Sequence, residues 1–291
     1  MRVAIFGKGL NEIAYPFFNE LLKELQDSNF EVFLYSLFAE ELKPKINFGA
    51  IKTFQQLTDL PKNPDYFISL GGDGNMLNAV ALVHDSGIPI LGINMGRLGF
   101  LSSVNREQIA EAVAALKFGN YKIDSRSLIK LSSHANLFNN KNFALNEVTV
   151  YKQQPNSMVS VNVYINNEFL NSYWADGLIV ATPTGSTAYS MSTGGPILSP
   201  QAKNFIITPI APHNLSIRPL VIPDDKIVKI QVIGREDSYF VSLDARTESF
   251  NSSDELIIEK ENFEVKLIRL PDENFFATIR AKLLWGIDKR N

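Results

Sequence analysis

Apolar runs of strand length alternate with segments of helical spacing through the first 120 residues, and this alternation is what most constrains the fold. The apolar residues between about Pro16 and Gln26 recur every three or four positions, which predicts an amphipathic helix. Further helices are predicted from Asn75 to His84 and after Asn105, which would cap the helix that Gly119 ends. Strands and helices in alternation favour an open, mainly parallel sheet. The runs that predict its strands are Val3–Phe6, Phe30–Tyr35, Tyr66–Leu70 and Ile88–Ile93.

From about residue 125 the pattern changes to short strand-like runs separated by turn residues. Ser160–Ile165 alternates polar and apolar residues, as a strand with one buried face does. We therefore predict two domains, an α/β domain of residues 1–124 plus about 271–291 and an all-β domain of residues 125–270. The tail Asn274–Trp285 regains helical spacing and is expected to pack on the first domain. The predicted β-rich runs are Leu128–Leu131, Phe143–Tyr151, Met158–Ile165, Leu178–Ala181, Phe205–Ile210, Ile227–Ile233, Tyr239–Leu243, Glu255–Glu259 and Val265–Leu270.

Composition excludes several classes of protein. With a net charge of −3 among 291 residues, nothing indicates binding to nucleic acid or to an anionic membrane. The chain has no cysteine, which excludes disulfides, thiolate nucleophiles and cysteine-ligated metals. No apolar stretch approaches the ~20 residues of a membrane span, and the N-terminal apolar run is too short for a signal peptide. We expect a cytoplasmic protein.

The tetrad Gly71-Gly-Asp-Gly74 lies between a predicted strand and a predicted helix. Glycines at a helix N-terminus can leave backbone N–H groups free for an anion. Asp73 would repel a phosphate there, so its carboxylate needs another task. It could accept a proton from an attacking hydroxyl or hold a metal that bridges phosphates. The structural alternative, a turn in which Asp73 caps the helix, is equally compatible with the tetrad alone.

The segment Asp176–Pro196 begins as an apolar strand and ends as a loop rich in hydroxyl groups. Seven Ser and Thr residues fall between Thr182 and Thr193, with no charged residue among them. Because each hydroxyl both donates and accepts a hydrogen bond, we interpret this loop as one that wraps a polar ligand. Asp176, at the head of the strand, is a candidate contact, or a residue that caps the turn.

Two weaker features accompany these motifs. Asn94–Phe100 is a second glycine-containing loop at the carboxyl end of a predicted strand, with Arg97 as a candidate phosphate partner. The adjacent Asn146 and Glu147 could bind a ribose diol, although polar residues at a strand end are more often only solvated.

There is no P-loop, and the Gly7-Lys-Gly9 turn lacks the third glycine of a dinucleotide fingerprint.

Together these motifs resemble the bacterial NAD kinases in order and spacing over nearly the whole chain. Gly-Gly-Asp-Gly alone is shared with phosphofructokinases and diacylglycerol kinases, whereas the Thr-Gly-Ser-Thr-Ala-Tyr sequence together with Asn-Glu is far more specific. The matching segments are Gly71–Gly74 with Asn-Met-Leu after it, Asn94–Phe100, Leu145–Val148 and Asp176–Ser190.

The resemblance implies an α/β domain followed by a β-sandwich-like domain, in a homodimer or homotetramer. It implies transfer of the terminal phosphoryl group of ATP to the 2′-hydroxyl of the adenosine ribose of NAD, with a divalent cation, Mg²⁺, accompanying ATP.

The resemblance also implies roles for particular residues. Asp73 would be the catalytic base, with Gly74 beside the ribose. Asn146 and Glu147 would hold the nicotinamide-side ribose or the adenine, and Asp176 would contact the nicotinamide end, from its own or a neighbouring subunit. Ala211 and Arg246 fall near ligand contacts of the family. The residues expected to line the adenosine are Thr187, Ala188, Tyr189, Ser190, Met191 and Ser192.

Two other readings stay open at this point. A lipid or sugar kinase could share the glycine tetrad, but the long hydroxyl loop suits a nucleotide better. A non-catalytic sensor of NAD or NADP would not need an acid such as Asp73 at the ribose hydroxyl.

Overall fold

The computed structural model shows the alternation of strands and helices that the first 120 residues predict. It describes residues 1–96, 99–133, 137–139, 141–154, 157–271 and 273–285. The strands of this first part are β1 (Arg2–Gly7), β2 (Glu31–Tyr35), β3 (Lys52–Phe54), β4 (Tyr66–Leu70), β5 (Ile90–Asn94) and β6 (Val104–Asn105). Its helices are α1 (Tyr15–Asp27), α2 (Ser36–Leu42), α3 (Asp73–Val83) and α4 (Ile109–Phe118).

The rest of the described chain consists mainly of strands. They are β7 (Lys122–Ser133), β8 (Phe143–Ala144), β9 (Glu147–Tyr151), β10 (Val159–Ile165), β11 (Glu168–Ala175), β12 (Gly177–Ala181), β13 (Asn204–Ile210), β14 (Leu220–Pro223), β15 (Val228–Ile233), β16 (Ser238–Leu243), β17 (Arg246–Asn251) and β18 (Leu256–Arg269). Two helices complete it, the short α5 (Tyr189–Ser192) and the C-terminal α6 (Phe275–Leu283). Single 3₁₀ turns cover Glu12–Ala14, Leu57–Asp59, Arg106–Gln108 and Gly185–Thr187.

The chain divides into two units. The α/β unit comprises Met1–Ser125 and Val265–Asn291, and the β unit comprises Arg126–Glu264. The sequence pattern places the return to the first domain near residue 271, whereas the structure places it at Val265. The reason is that β18 is one long strand whose later part pairs with β5, with Leu267 opposite Ile90.

The sheet of the α/β unit is parallel and has a change of direction in its strand order. Its strands are arranged β5-β4-β1-β2-β3, and each pairs in parallel with its neighbour. The chain therefore moves outward from β1 to β3 and then returns to the other side of β1 with β4 and β5. In open α/β sheets, ligands bind at the carboxyl ends of the strands where the order reverses. Here that point lies after β1 and β4.

The β unit is built from antiparallel strands whose inward side chains share one apolar core. One sheet has the order β14-β13-β12-β9-β16-β17. The facing strands are β11, β10 and β15 with the first part of β18, together with β7, which pairs with β18, and β8, which pairs with β7. Strand β12 is buried on both faces. Leu178 and Val180 face the shared core, while Ile179 and Ala181 pack against Ile206 and the half-buried Leu198 on the other face. The loop after β12 is thus packed against its own strand.

The predicted fold class, an α/β domain with a β-rich second domain, is confirmed. Asn105 is a cap, as predicted, at the 3₁₀ turn that leads into α4, and Gln108 bonds back to it. Gly119 ends that helix with φ of +71°. The helix predicted to begin at Asn75 begins instead at Asp73, with Gly72 as its N-cap. The predicted runs Glu255–Glu259 and Val265–Leu270 overlap the two ends of one strand, β18. The helices and strands that the sequence did not predict are α2, α5, β3, β6, β11, β14 and β17.

Helix α6 belongs to the α/β unit, as predicted, and buries Ile279. Of the helices within the described ranges, none combines the length and the apolar content that crossing a membrane requires.

Replacing Leu178 with Ala tests the shared core of the β unit. Its side chain is fully buried among residues of both sheets, so we expect the free energy of unfolding to fall by about 2–5 kcal/mol. The matched control is Leu215→Ala, because Leu215 is 88% exposed and its truncation should change that free energy by less than about 0.5 kcal/mol. Urea denaturation of both variants measures the difference, and equal effects would contradict this description of the core.

Candidate functional site

The turn after β4 is held in place by a single amide side chain. Asn75 Nδ2 donates to the carbonyl oxygen of Leu70 at 2.7 Å and to that of Lys8 at 3.0 Å. It thereby links the carboxyl end of β4 to the residue that follows β1. Gly71 has φ of +124°, and a Cβ there would lie 2.3 Å from Asn75 Nδ2. The first glycine of the tetrad is therefore required by the backbone conformation and by close packing.

Asp73 is the first residue of α3, and its half-buried carboxylate accepts hydrogen bonds from a neighbouring loop. Oδ2 accepts from the N–H of Phe100 at 2.8 Å, and Oδ1 accepts from those of Leu101 and Ser102 at 3.0 and 3.1 Å. A Cβ at Gly99 would lie 1.9 Å from Oδ1, so only glycine lets the loop approach this closely. A carboxylate offers about four acceptor positions. Residues that the structure describes use three of these positions, which leaves Oδ2 room for one more donor.

The N-terminus of α3 is open beside this carboxylate. Gly72 and Gly74 are exposed, and no heavy atom lies within 4 Å of the position where a Cβ of either would stand. Unpaired N–H groups at the start of an 11-residue helix favour an anion. Arg97, the predicted phosphate partner, lies outside the described residues.

At the Gly7-Lys-Gly9 turn after β1, the N–H groups of Gly9 and of the following Leu10 are already used and cannot bind a phosphate. Both donate to the carboxylate of Glu41, each at 3.0 Å. This agrees with the expectation that the turn is a poor dinucleotide fingerprint.

In the β unit, the backbone of Asn146 and Glu147 is held by the half-buried carboxylate of Asp244, a residue that the sequence motifs do not indicate. Asp244 accepts hydrogen bonds from the N–H groups of Leu145 at 2.9 Å, Asn146 at 2.8 Å and Glu147 at 3.3 Å. Burial raises the pKa of the Asp244 carboxyl, and these three donors oppose the rise. Its position after β16, at φ of +53°, marks a tight turn. A single Asp after a strand gives no sequence signal for this contact.

Glu147 is a buried acid with unused hydrogen-bonding capacity. Its Oε2 is buried and has no hydrogen-bond partner among the described residues. Burial, followed by the charge of Asp244, raises the pKa of Glu147 to about 8. A buried carboxyl left in this condition destabilises the fold. A ligand hydroxyl group would supply the missing partner.

Most hydroxyl groups of the loop after β12 form hydrogen bonds that hold the loop together. Thr182 Oγ1 donates to the carbonyl oxygen of Leu145 at 2.6 Å. Ser186 Oγ donates to that of Pro183 at 2.7 Å. These bonds are needed because a buried hydroxyl group is costly unless it is hydrogen-bonded. The buried hydroxyl-bearing residues of this loop are Thr182, Thr184, Ser186 and Ser190.

Ser190 in particular is fully buried, and its hydroxyl group is hydrogen-bonded to that of Thr208 at 3.0 Å. In this structure it fastens the loop to β13. The predicted adenosine contacts that are half-buried or exposed, and so can reach a ligand, are Thr187, Ala188, Tyr189, Met191 and Ser192.

The loop is also tied to the Asn146–Glu147 segment. The N–H of Thr182 donates to the carbonyl oxygen of Asn146 at 2.8 Å. A Cβ at Gly185 would lie 2.1 Å from that same oxygen, so the loop can pack this closely only with glycine. The structure therefore brings together two of the predicted motifs that are far apart in the sequence.

A cavity of about 360 Å³ opens in the β unit next to this loop. Asp176 and Tyr189, both predicted site residues, line it, and Ala211 directly follows the lining residue Ile210. Lys152 also lines it and forms an ion pair with Asp176, with Nζ to Oδ1 at 2.6 Å. Lys152 was not predicted, because a lone Lys after a strand carries no motif. The remaining lining residues are Thr149, Tyr151 and Ser242.

Arg246 does not face this cavity. Its guanidinium group donates to the carbonyl oxygens of Lys141 and Phe143 and lies over the rings of Phe138 and Phe143. These contacts give it a structural role in holding the segment before β9.

No dedicated metal site is apparent in the described part of the chain, which has no group of three or more His, Asp or Glu side chains placed to hold a metal ion.

Comparisons with known proteins agree with the motifs. Residues 3–121 match the ATP-NAD kinase N-terminal domain, and residues 145–270 match the ATP-NAD kinase C-terminal domain. The chain is 47% identical to the NAD kinase of Flavobacterium psychrophilum over the full length of both proteins. It is 37% identical to that of Porphyromonas gingivalis, covering 98% of each.

Two solved structures share the fold. An NAD kinase from Archaeoglobus fulgidus in complex with ATP is 26% identical, with a TM-score of 0.75, and the match covers 98% of this chain and 99% of the other. Yeast NADH kinase in complex with NADH has a TM-score of 0.88 at 23% identity, and the match covers 99% of this chain and 88% of the other. At this identity the likeness shows a shared fold and nothing more. The resemblance of the motifs is confirmed, and the chain belongs to the ATP-NAD kinase family.

Proposed function

We propose that Asp73 is the base in the reaction of this family, the ATP-dependent phosphorylation of NAD to NADP. The observation that carries the proposal is the carboxylate at the reversal point of the parallel sheet, held by three N–H groups with one acceptor position of Oδ2 left over. The 2′-hydroxyl of the adenosine ribose would donate to that position. Its oxygen attacks the terminal phosphorus of ATP, the bond from that phosphorus to the bridging oxygen breaks, ADP leaves and the proton passes to Asp73.

A carboxylate is a weak base, yet it suits this step. Phosphoryl transfer depends mainly on positioning and on neutralising charge, and in a loose transition state the hydroxyl proton is lost late. Fixing both oxygens through backbone donors removes rotational freedom from the carboxylate before the substrate arrives. The open N-terminus of α3, with Gly74 exposed beside Asp73, would face the phosphate groups or the ribose.

The β unit offers the groups that would bind NAD. Asn146 and Glu147 would bind a ribose diol, because Glu147 Oε2 is a buried acceptor without a partner among the described residues. The cavity of about 360 Å³ lies within the size range of small-molecule sites and would take one ring system of the dinucleotide. Tyr189 offers an aromatic face there, and Asp176 with Lys152 offers one charge of each sign. Thr187, Ala188, Met191, Ser192 and Ala211 are the further proposed contacts.

The divalent cation would arrive with ATP. Mg²⁺ keeps several water ligands and is commonly held by one or two carboxylates together with substrate phosphates. This is compatible with the absence of an acidic cluster in the described residues. We treat Mg-ATP as the substrate, and we propose that the protein works in the cytoplasm as a homodimer or homotetramer.

Asp73→Asn tests the proposed base. The amide cannot take the hydroxyl proton, so we expect kcat to fall by about 10²- to 10⁴-fold, while NAD binding changes little. NADP formation measures kcat, and calorimetry measures binding. Asp85→Asn is the matched control in the same unit, because the Asp85 side chain is 70% exposed. Wild-type kcat in the Asp73 variant would exclude this role.

Glu147→Gln tests whether the buried acid is kept for the ligand. The pKa of Glu147 in the folded protein, about 8, lies above its unfolded value of about 4.3. The stability it contributes is therefore present at low pH and is lost as the pH rises toward 8. We expect the variant to match the wild type in urea denaturation at about pH 4, below the unfolded pKa. At pH 8.5 it should be more stable by about 2–4 kcal/mol.

Assayed at pH 8.5, where Glu147 is mostly ionised, the same variant should bind NAD worse, with KM raised about 10-fold through loss of a charge-assisted hydrogen bond. Glu168→Gln, at an exposed position of β11, should change neither property. If Glu147→Gln is less stable than the wild type at pH 8.5, or if its KM for NAD is unchanged, this account of Glu147 fails.

A further inference from the structure

We propose that Arg269 is a positioning residue for Asp73, acting through the loop of residues 99–102. This loop, called the clamp loop below, supplies the three N–H groups that bind the Asp73 carboxylate. The inference rests on the proposed role of Asp73 as the base. Arg269 is the last residue of β18 and lies 168 positions after Leu101 of the clamp loop in the sequence.

Arg269 binds the clamp loop from the carbonyl side. Its Nη1 donates to the carbonyl oxygen of Leu101 at 3.1 Å, and its Nη2 donates to that of Phe100 at 3.5 Å. The carbonyl of Phe100 belongs to the same peptide group as the N–H of Leu101. The carbonyl of Leu101 likewise belongs to the same peptide group as the N–H of Ser102. Two consecutive peptide groups therefore link the guanidinium group to Oδ1 of Asp73.

This arrangement has two physical consequences. Because the N–H and C=O of a peptide group are rigidly joined, fixing the carbonyl oxygens fixes the direction in which the N–H groups point. A cation at the carbonyl oxygens also polarises the peptide groups and strengthens their N–H donors, as hydrogen bonds in a chain do. The position and the charge of Arg269 therefore both favour a fixed Asp73 carboxylate.

Arg269 is itself held by two acids. Its Nε donates to Asp124 Oδ2 at 3.1 Å, and its Nη1 lies 3.7 Å from Glu273 Oε2. The side chains of Arg269, Asp124 and Glu273 are 13%, 14% and 18% exposed. A buried cation is costly without such partners, and the planar guanidinium group can bind the acids and the loop at once. A Lys ammonium group is compact and cannot span these positions.

The test compares Arg269→Gln and Arg269→Lys with the wild type, after unfolding curves have shown that both variants are folded under assay conditions. For Arg269→Gln we expect kcat for NADP formation to fall about 10- to 100-fold through misplacement of the base. KM for NAD should change by less than about 3-fold, because NAD-binding groups in the β unit are untouched. Arg269→Lys should recover part of the loss. Arg280→Gln, at an exposed position of α6, is the control and should keep wild-type kcat.

A double-mutant cycle separates positioning from a general structural effect. If Arg269 acts through Asp73, the Asp73→Asn/Arg269→Gln double variant should be no slower than Asp73→Asn alone. Wild-type kcat in Arg269→Gln, a raised KM with unchanged kcat, or a double variant slowed by the full Arg269→Gln factor would each overturn the proposal.

Amide hydrogen exchange distinguishes failure of this inference from failure of the proposed function. The N–H groups of Phe100, Leu101 and Ser102 should exchange faster in Arg269→Gln than in the wild type, whatever the chemical role of Asp73. If Asp73→Asn keeps wild-type kcat, the proposed base is wrong and the positioning role falls with it. Unchanged exchange in the clamp loop overturns the Arg269 contact independently of activity.

Discussion

A carboxylate bound by three consecutive backbone N–H groups is the interaction on which the candidate site depends, and each unit contains such a contact among its described residues. In the α/β unit Asp73 is held by the N–H groups of residues 100–102. In the β unit Asp244 holds those of residues 145–147. Three donors to one anion make a rigid contact, because charge-assisted hydrogen bonds are short and strong. The two contacts differ in which partner is the proposed site residue. The loop positions the carboxylate of Asp73, whereas Asp244 positions the side chains of Asn146 and Glu147.

The hydroxyl-rich loop shows how a functional motif can be largely structural. Its buried Ser and Thr side chains bond to the carbonyl oxygens and hydroxyls around them, and Gly185 lets the loop press against Asn146. What remains for a ligand is the short stretch from Thr187 to Ser192, apart from the buried Ser190. The sequence of this loop is specific to the family because its buried side chains and glycines determine one loop conformation. Fewer of its side chains are free to contact a substrate than their chemistry suggests.

The sequence predicts the elements whose burial is regular and misses those whose burial is not. Strands such as β4 and β12, buried at every position, were recognised from their apolar runs. Strand β11 was missed because its residues are mostly exposed or half-buried at a sheet edge, with Phe169 and Trp174 facing outward. The site was predictable where residues form a local motif, as at Gly71–Gly74. The contacts of Asp244, Lys152 and Arg269 join distant segments, and a single sequence contains no signal for such pairings.

On the proposed mechanism, the remaining acceptor position of Asp73 Oδ2 faces the hydroxyl group that is phosphorylated. The most direct measurement is a crystal structure with NAD bound, in which the distance from Asp73 Oδ2 to the 2′-oxygen of the adenosine ribose is read. A distance of about 2.6–3.2 Å, that of a hydrogen bond, is the predicted result. A 2′-oxygen farther from either carboxylate oxygen than one bridging water can span would contradict the account.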